Sequence, residues 1–315
     1  MSNKEKFYGV NDSNWGHKWG YKDSGFIINE DLSVTFTGNR YPICGKRLPN
    51  FIPFVEEILG VKFDTKPKIQ EVEKTHVTES LVNKPFLEEL RKSFKENRFT
   101  LEHNERVLHS HGQHSTDEVY KVLYNKLEKF TDLVFYIESE EETKKLIDLA
   151  KKHNVCLIPY GGGTNVTNAL RPPKEESRMV VSVDTRRMNK IESLDEENLM
   201  VVVQAGITGK ALEEGLNKKG FTVGHEPDSY EFSTVGGWVS TNAAGMKKHK
   251  YGNIEDIVQN ITMVTPSGIV NQKEPLTRSS FGIKAQNILF GSEGNLGIIT
   301  SATLKVHRLP EQSAY

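Results

Sequence analysis

Only two cysteines, Cys44 and Cys156, occur in 315 residues. That excludes a disulfide scaffold or a cysteine-rich zinc module and fits a reducing compartment. An excess of one charge is also missing: Lys and Arg number 41 against 42 Asp and Glu, a net charge of -1. No global field therefore steers the chain toward nucleic acid. No apolar run approaches the roughly 18 residues that a membrane-spanning helix requires, and Leu133 to Ile137 is among the longest. Met1 to Gly9 carries Lys and Glu without an apolar stretch, so no secretory signal is expected there. Repeats and low-complexity tracts are absent. What remains is a globular chain with length, at roughly 150 residues per domain, for about two domains.

The chain changes character near residue 128. Before it, aromatic residues and prolines crowd together, among them Trp15, Trp19, Tyr21, Phe26, Tyr41, Pro42, Pro49, Phe51 and Phe54, as in a chain laid over another surface. Helical spacing then predicts helices over Phe86–Asn97 and Thr116–Lys129. From Leu133 the pattern alternates strand and helix. Ser139 ahead of Glu140, Glu141 and Glu142 is an N-cap with an acidic first turn, and that helix should end near His153 and Asn154. Strands are predicted at Leu133–Ile137, Val155–Pro159, Met179–Val183, Lys190–Leu194 and Leu199–Gln204, and a helix at Thr208–Lys219. A hairpin follows, Asn260–Val264 with Ile269–Asn271, then a strand alternating at Ile298, Thr300, Ala302, Leu304 and Val306.

Three segments carry chemistry. Pro159 and Tyr160 lead from a strand into Gly161, Gly162, Gly163, Thr164 and Asn165. Three consecutive glycines can turn backbone N–H groups inward together and hold a phosphate, with Thr164 and Asn165 adding side-chain donors; the plain alternative is a tight turn without a ligand. On the ligand reading, Gly162→Asp should abolish binding, because a carboxylate there repels the pyrophosphate and blocks its close approach. Neither common nucleotide motif fits. Val166 stands where G-x-G-x-x-G needs glycine, and Gly209-Lys210 lacks the glycine and the hydroxyl residue of a Walker A loop. The second segment is Asp228, Ser229, Tyr230, Glu231, Phe232, Ser233 and Thr234, continuing to Thr241, Asn242, Ala243 and Ala244. Its small and hydroxyl residues either line a polar ligand or pack a helix closely on a sheet. The third is Glu293, Gly294, Asn295, Leu296, Gly297, Ile298 and Ile299, a glycine-framed glutamate ahead of a strand.

In this order the three segments resemble the flavin-binding domain of the vanillyl-alcohol oxidase and p-cresol methylhydroxylase (PCMH) group. The resemblance implies an α+β fold: a PCMH-type FAD-binding domain of two α/β subdomains (129–220 and 221–310), preceded by an irregular and helical region (1–128), with the group's cap domain absent. It places the pyrophosphate of FAD at Pro159–Asn165. The ring and pyrophosphate would run along Asp228–Thr234 and Thr241–Ala244, and the adenosine side along Glu293–Ile299. Several members attach flavin through a histidine beside the glycine loop. None stands in GGGTN, so the FAD is expected to be non-covalent.

The likeness extends beyond the flavin loops to the alkyldihydroxyacetonephosphate synthase family. Trp19–Phe26, Thr37–Pro42, Leu48-Pro49, Ala205–Gly209, Gly224–Thr241 and Gly245–Asp256 all resemble it, with Asn242 a departure where an arginine is expected. This implies FAD-dependent exchange of the acyl chain of acyl-dihydroxyacetone phosphate for a long-chain fatty alcohol, with no net redox change. It also implies a homodimer, a peripheral membrane contact and a peroxisomal location, although neither terminus shows a peroxisomal address. The family's catalytic residues lie beyond Tyr315, so the catalytic set is unknown and the chain reads as a truncated FAD-binding half. Two alternatives stay open: a flavin-dependent oxidase or dehydrogenase of a 2-hydroxy acid or phenol, and a non-catalytic FAD-binding fragment. His103, His109, His111 and His114 are expected at the surface or facing substrate, with no metal. His225 either approaches the cofactor region or packs a turn. Lys247, Lys248, His249 and Lys250 either meet a phosphate or are solvated.

Overall fold

The computed structural model describes residues 19–65, 77–272, 280, 282 and 284–311. Met1–Gly9, Trp15 and the Ser313–Tyr315 terminus lie outside the described residues. No described helix is long and apolar enough to cross a membrane.

Two sheets carry the molecule. In the first, the strands run in the order Phe99–Thr100, Leu133–Tyr136, Val180–Asp184, Cys156–Tyr160. The outer pair is antiparallel and the other two are parallel, with Leu133 and Leu157 both opposite Val181. Parallel strands covered on both faces read as unbroken apolar runs, and Leu133–Tyr136 is buried at every position. The helix Glu140–Lys152 closes over this sheet. Ser139 caps it by accepting from the Glu142 amide at 3.1 Å, and Asn154 ends it in a left-handed conformation with φ 53°, as the sequence signals predict.

The second sheet is antiparallel throughout, in the order Gly268–Val270, Val258–Thr265, Ile298–Lys305, Met200–Gln204, Ile191–Asp195. Its core holds Val201, Val203, Leu212, Leu216, Trp238, Ile261 and Leu304. Val264 and Ile298 instead join the first core, packing with Leu133, Phe135 and Leu146, so the sheets meet along these two strands. The change from one sheet to the other falls between Asp184 and Ile191. Helix Lys84–Ser93 contributes Phe86, Leu87 and Leu90 to the first core, which ties residues before 128 into the sheet body.

Two expected helices come out shorter. Helix Lys84–Ser93 stops where Phe94 turns extended, and Glu96–Arg98 forms a separate 3-10 turn. Helix Thr116–Leu123 stops before Asn125, which takes φ 55°. Leu127, one of the apolar positions that suggested a longer helix, is buried from the following loop.

Residues 26–59 form a small unit of their own, with strands Phe26–Ile28, Val34–Phe36 and Arg47–Leu48 and helix Phe51–Leu59. Ahead of it, Trp19 donates its indole N–H to the Gln113 carbonyl at 2.7 Å, and Tyr21 packs against Phe232 with ring centroids 6.5 Å apart. Trp19 and Tyr21 are laid over the body, as expected of the aromatic start, whereas Phe26 and Phe54 in the separate unit are exposed.

Candidate cofactor site

The Cys156–Tyr160 strand delivers the glycine loop at the C-terminal edge of the first sheet, beside Asp184, the register partner of Tyr160. A side chain at Gly162 would fall on the Phe232 carbonyl, and one at Gly161 would start 2.5 Å from Thr234 Oγ1. The first and second motif segments are therefore in direct contact. Thr234 then caps helix Val235–Ser240, accepting from the Gly237 amide at 3.3 Å. The third segment is pinned to the end of that helix: Gly291 donates to the Val239 carbonyl at 3.1 Å and Glu293 to the Ser240 carbonyl at 2.9 Å. It also returns to the first, with Gly294 lying against the Pro159 ring and Thr167 Oγ1 donating to Glu293 Oε2 at 2.9 Å.

Between them lies a cavity of ≈ 360 Å³, open on one side. Its wall takes all of Pro159–Asn165, then Ser229, Ser233 and Thr234, then Thr241–Ala244, then Glu293, Gly294 and Gly297–Ile299. The remaining expected residues are not part of the wall. Asp228 is exposed, Tyr230 accepts from the Lys210 amide at 3.0 Å, and Glu231 lies 3.7 Å from Lys210 Nζ. Phe232 supplies the carbonyl behind Gly162, Asn295 donates to the Ser292 carbonyl at 3.0 Å, and Leu296 faces outward. The wall also contains residues the motifs do not announce, among them Thr167, Thr185, Trp238 and Met263. Thr185 arrives by register, donating its amide to the Tyr160 carbonyl at 3.0 Å, and Met263 by lying opposite Ile299. Only the sheet pairing, which joins distant segments, carries that information.

The wall suits an anion. Among the described residues, none accepts a hydrogen bond from the backbone amides of Gly161 to Asn165. Tyr160 Oη and Asn165 Nδ2 are buried without a partner. Such donors at one edge of a cavity fit a pyrophosphate, and the apolar side chains of Trp238, Met263, Ile298 and Ile299 fit a flat ring system.

Behind Tyr160 lies a buried charge cluster that composition does not reveal. Arg186 donates to Asp184 Oδ1 at 3.0 Å, His109 Nε2 lies 2.9 Å from Asp184 Oδ2, and His109 Nδ1 lies 2.8 Å from the Glu105 carbonyl. Burial alone would raise the Asp184 carboxyl; the Arg186 charge and the hydrogen bonds from His109 and Arg186 hold it well below the usual range. Tyr160 sits between the His109 ring, 4.4 Å away, and the Arg186 guanidinium, 5.2 Å from its centroid, and burial pushes its hydroxyl well above the usual range. It enters the site as a neutral donor.

This corrects the reading of the histidines. His109 and His111 are buried rather than facing solvent or substrate, while His103 is exposed. No cluster of His, Cys, Asp or Glu that could hold a metal ion occurs among the described residues. His225 packs edge-on against Trp238 at 4.7 Å, and burial holds its pKa down at about 4. Lys247 is engaged by Glu226 at 2.6 Å.

Residues 131–272 match the FAD binding domain family. The cofactor is FAD. The chain is 44% identical over 295 residues to an alkyldihydroxyacetonephosphate synthase of Caenorhabditis elegans, covering 93% of this chain and 49% of the relative. A solved structure of alkyldihydroxyacetonephosphate synthase superposes with a TM-score of 0.84 at 34% identity, over 95% of this chain and 55% of that one. A mitochondrial D-lactate dehydrogenase (cytochrome) of Kluyveromyces lactis is 34% identical over 177 residues, 56% of this chain and 30% of the relative. The chain spans about half the length of the curated synthases it matches. The resemblance to the synthase drawn from the sequence motifs holds over nearly the whole chain.

Proposed function

We propose that this chain is the FAD-holding part of an alkyldihydroxyacetonephosphate synthase, which exchanges the acyl chain of acyl-dihydroxyacetone phosphate for a long-chain alcohol. The observation that carries this is the extent of the likeness: 93% of the chain matches a synthase, against 56% for the dehydrogenase. The likeness to the synthase thus reaches well beyond the length that a shared flavin fold accounts for.

In this reading the amides of Gly161–Asn165, with Thr164, hold the pyrophosphate, and Tyr160 and Asn165 give it side-chain hydrogen bonds. Ser233, Thr234 and Thr241–Ala244 flank the ring, and Glu293, Gly294 and Gly297–Ile299 close the adenosine side. Among the described residues the cavity wall contains no histidine, which supports non-covalent binding. Bound FAD supplies an electron-accepting ring. The residues described here orient it and keep water from its buried face. Catalytic acids and bases are not assigned among them. The substrates, a homodimer, a peripheral membrane contact and a peroxisomal location belong to the same proposal.

The test is direct. The purified chain, titrated with FAD, should develop bound-flavin absorbance. Joined to the remaining half of a synthase and given acyl-dihydroxyacetone phosphate and hexadecanol, it should yield the alkyl ether by mass spectrometry with the flavin left oxidised after turnover. Anaerobic bleaching by D-lactate without ether formation would replace this reading with the dehydrogenase one.

A further inference from the structure

Behind the glycine loop, helix Thr116–Leu123 points a buried acid at the end of the FAD site. The Glu118 side chain is 0% exposed, and neither carboxyl oxygen completes a hydrogen bond with a described residue. Both nearby cations are taken by its neighbour: Lys121 pairs with Asp117 at 2.8 Å and Arg171 with the same Asp117 oxygen at 3.3 Å. Asn165, the last residue of the loop, and Glu118 both crowd the same side of Gly112. The point where a Gly112 side chain would begin lies 2.6 Å from Glu118 Oε2, 2.8 Å from the Asn165 carbonyl oxygen and 3.0 Å from Asn165 Oδ1. Only a glycine fits there.

Acceptors crowd this point. A carboxylate would be a third acceptor beside two others and a buried charge whose nearby cations, Lys121 and Arg171, are paired with Asp117, which is costly. A carboxylic acid supplies the missing donor. We propose that Glu118 is a positioning residue of the FAD loop: as an uncharged acid it hydrogen-bonds to Asn165 across Gly112 and fixes the cavity-lining end of the loop. Burial raises the Glu118 pKa, against the smaller influence of the Gly112 amide; Arg171 and Lys121 lower it and Asp117 raises it. His111 and His114 flank Gly112 on the facing segment. Loss of the proton as pH rises removes the bond and loosens the loop, so FAD affinity falls on the alkaline side. The inference rests on the cofactor and is independent of the proposed reaction.

FAD titrations of the whole chain from pH 5 to 9, followed by flavin fluorescence with circular dichroism at each pH, test it. Wild-type affinity should be level at low pH and then fall by about tenfold per pH unit once the acid ionises. Glu118→Gln, which keeps a donor but cannot ionise, should match the low-pH wild type and stay level. Glu118→Ala should bind roughly tenfold more weakly throughout. A fall in Glu118→Gln parallel to wild type, or wild-type affinity in Glu118→Ala, overturns the proposal. If Glu118→Ala does not fold, the pH profile of Glu118→Gln decides alone.

Discussion

Apolar side chains meet opposite fates in the 26–59 unit and in the two-sheet body. In the unit, Phe26 is 59% and Ile58 65% exposed, and helix Phe51–Leu59 buries no residue. Its order rests on ring contacts, such as Phe26 stacked on Phe51 at 5.4 Å, and on short strand pairs. In the body, Leu133 and Phe135 are fully buried between helices and a second sheet. The same residue types make a core only where layers enclose them. Aromatic density by itself marks a surface as readily as an interior.

The sharpest test of this contrast is truncation in the body. Phe135→Ala should cost about 3–5 kcal/mol, read from urea unfolding, and a cost near zero would show that the first core is not the main source of stability. Next come the glycines. A methyl group at Gly162 meets the Phe232 carbonyl, whereas one at Gly25, in the outer region, finds nothing nearer than Thr37 Oγ1 at 4.0 Å. Gly162→Ala should lose about 1–3 kcal/mol and with it FAD affinity, while Gly25→Ala should do neither. It follows that Gly162→Asp would remove the cofactor by clash before charge repulsion acts.

A pH scan sharpens the same contrast. His225 is buried in the body with its pKa depressed to about 4, below its unfolded value near 6.5. Between those values the unfolded chain binds a proton that the folded chain does not, so stability falls as pH falls through that window. The melting temperature should drop accordingly, and His225→Phe should flatten the drop. The smallest effect belongs to the outer unit, where Ile58→Ser should stay within about 0.5 kcal/mol; a larger loss would mean that this helix is covered in solution.

Local signals were legible wherever the chain speaks to its own neighbours. Ser139 and its three glutamates announce a helix start because capping and dipole effects act within one turn. The glycine loop and the strand before it are legible for the same reason. The helix past Leu123 was overread because Leu127 keeps helical spacing while being buried from a loop. Asp184, Arg186 and His109 were not legible as a cluster. They meet through the parallel register that sets Tyr160 beside Asp184 and through a helix from far upstream. Glu118 was not legible for an analogous reason: nothing near it in sequence says that the glycine loop covers it.

The three-way closure of the cavity has a consequence for how the protein is made. Pro159–Asn165 emerges from the ribosome early, but its wall is finished only when Glu293–Ile299 follows, and Ile298–Lys305 must then slot between Met200–Gln204 and Val258–Thr265. The first loop alone supplies one side of that wall, so the full set of cofactor contacts exists only once the sheets are paired.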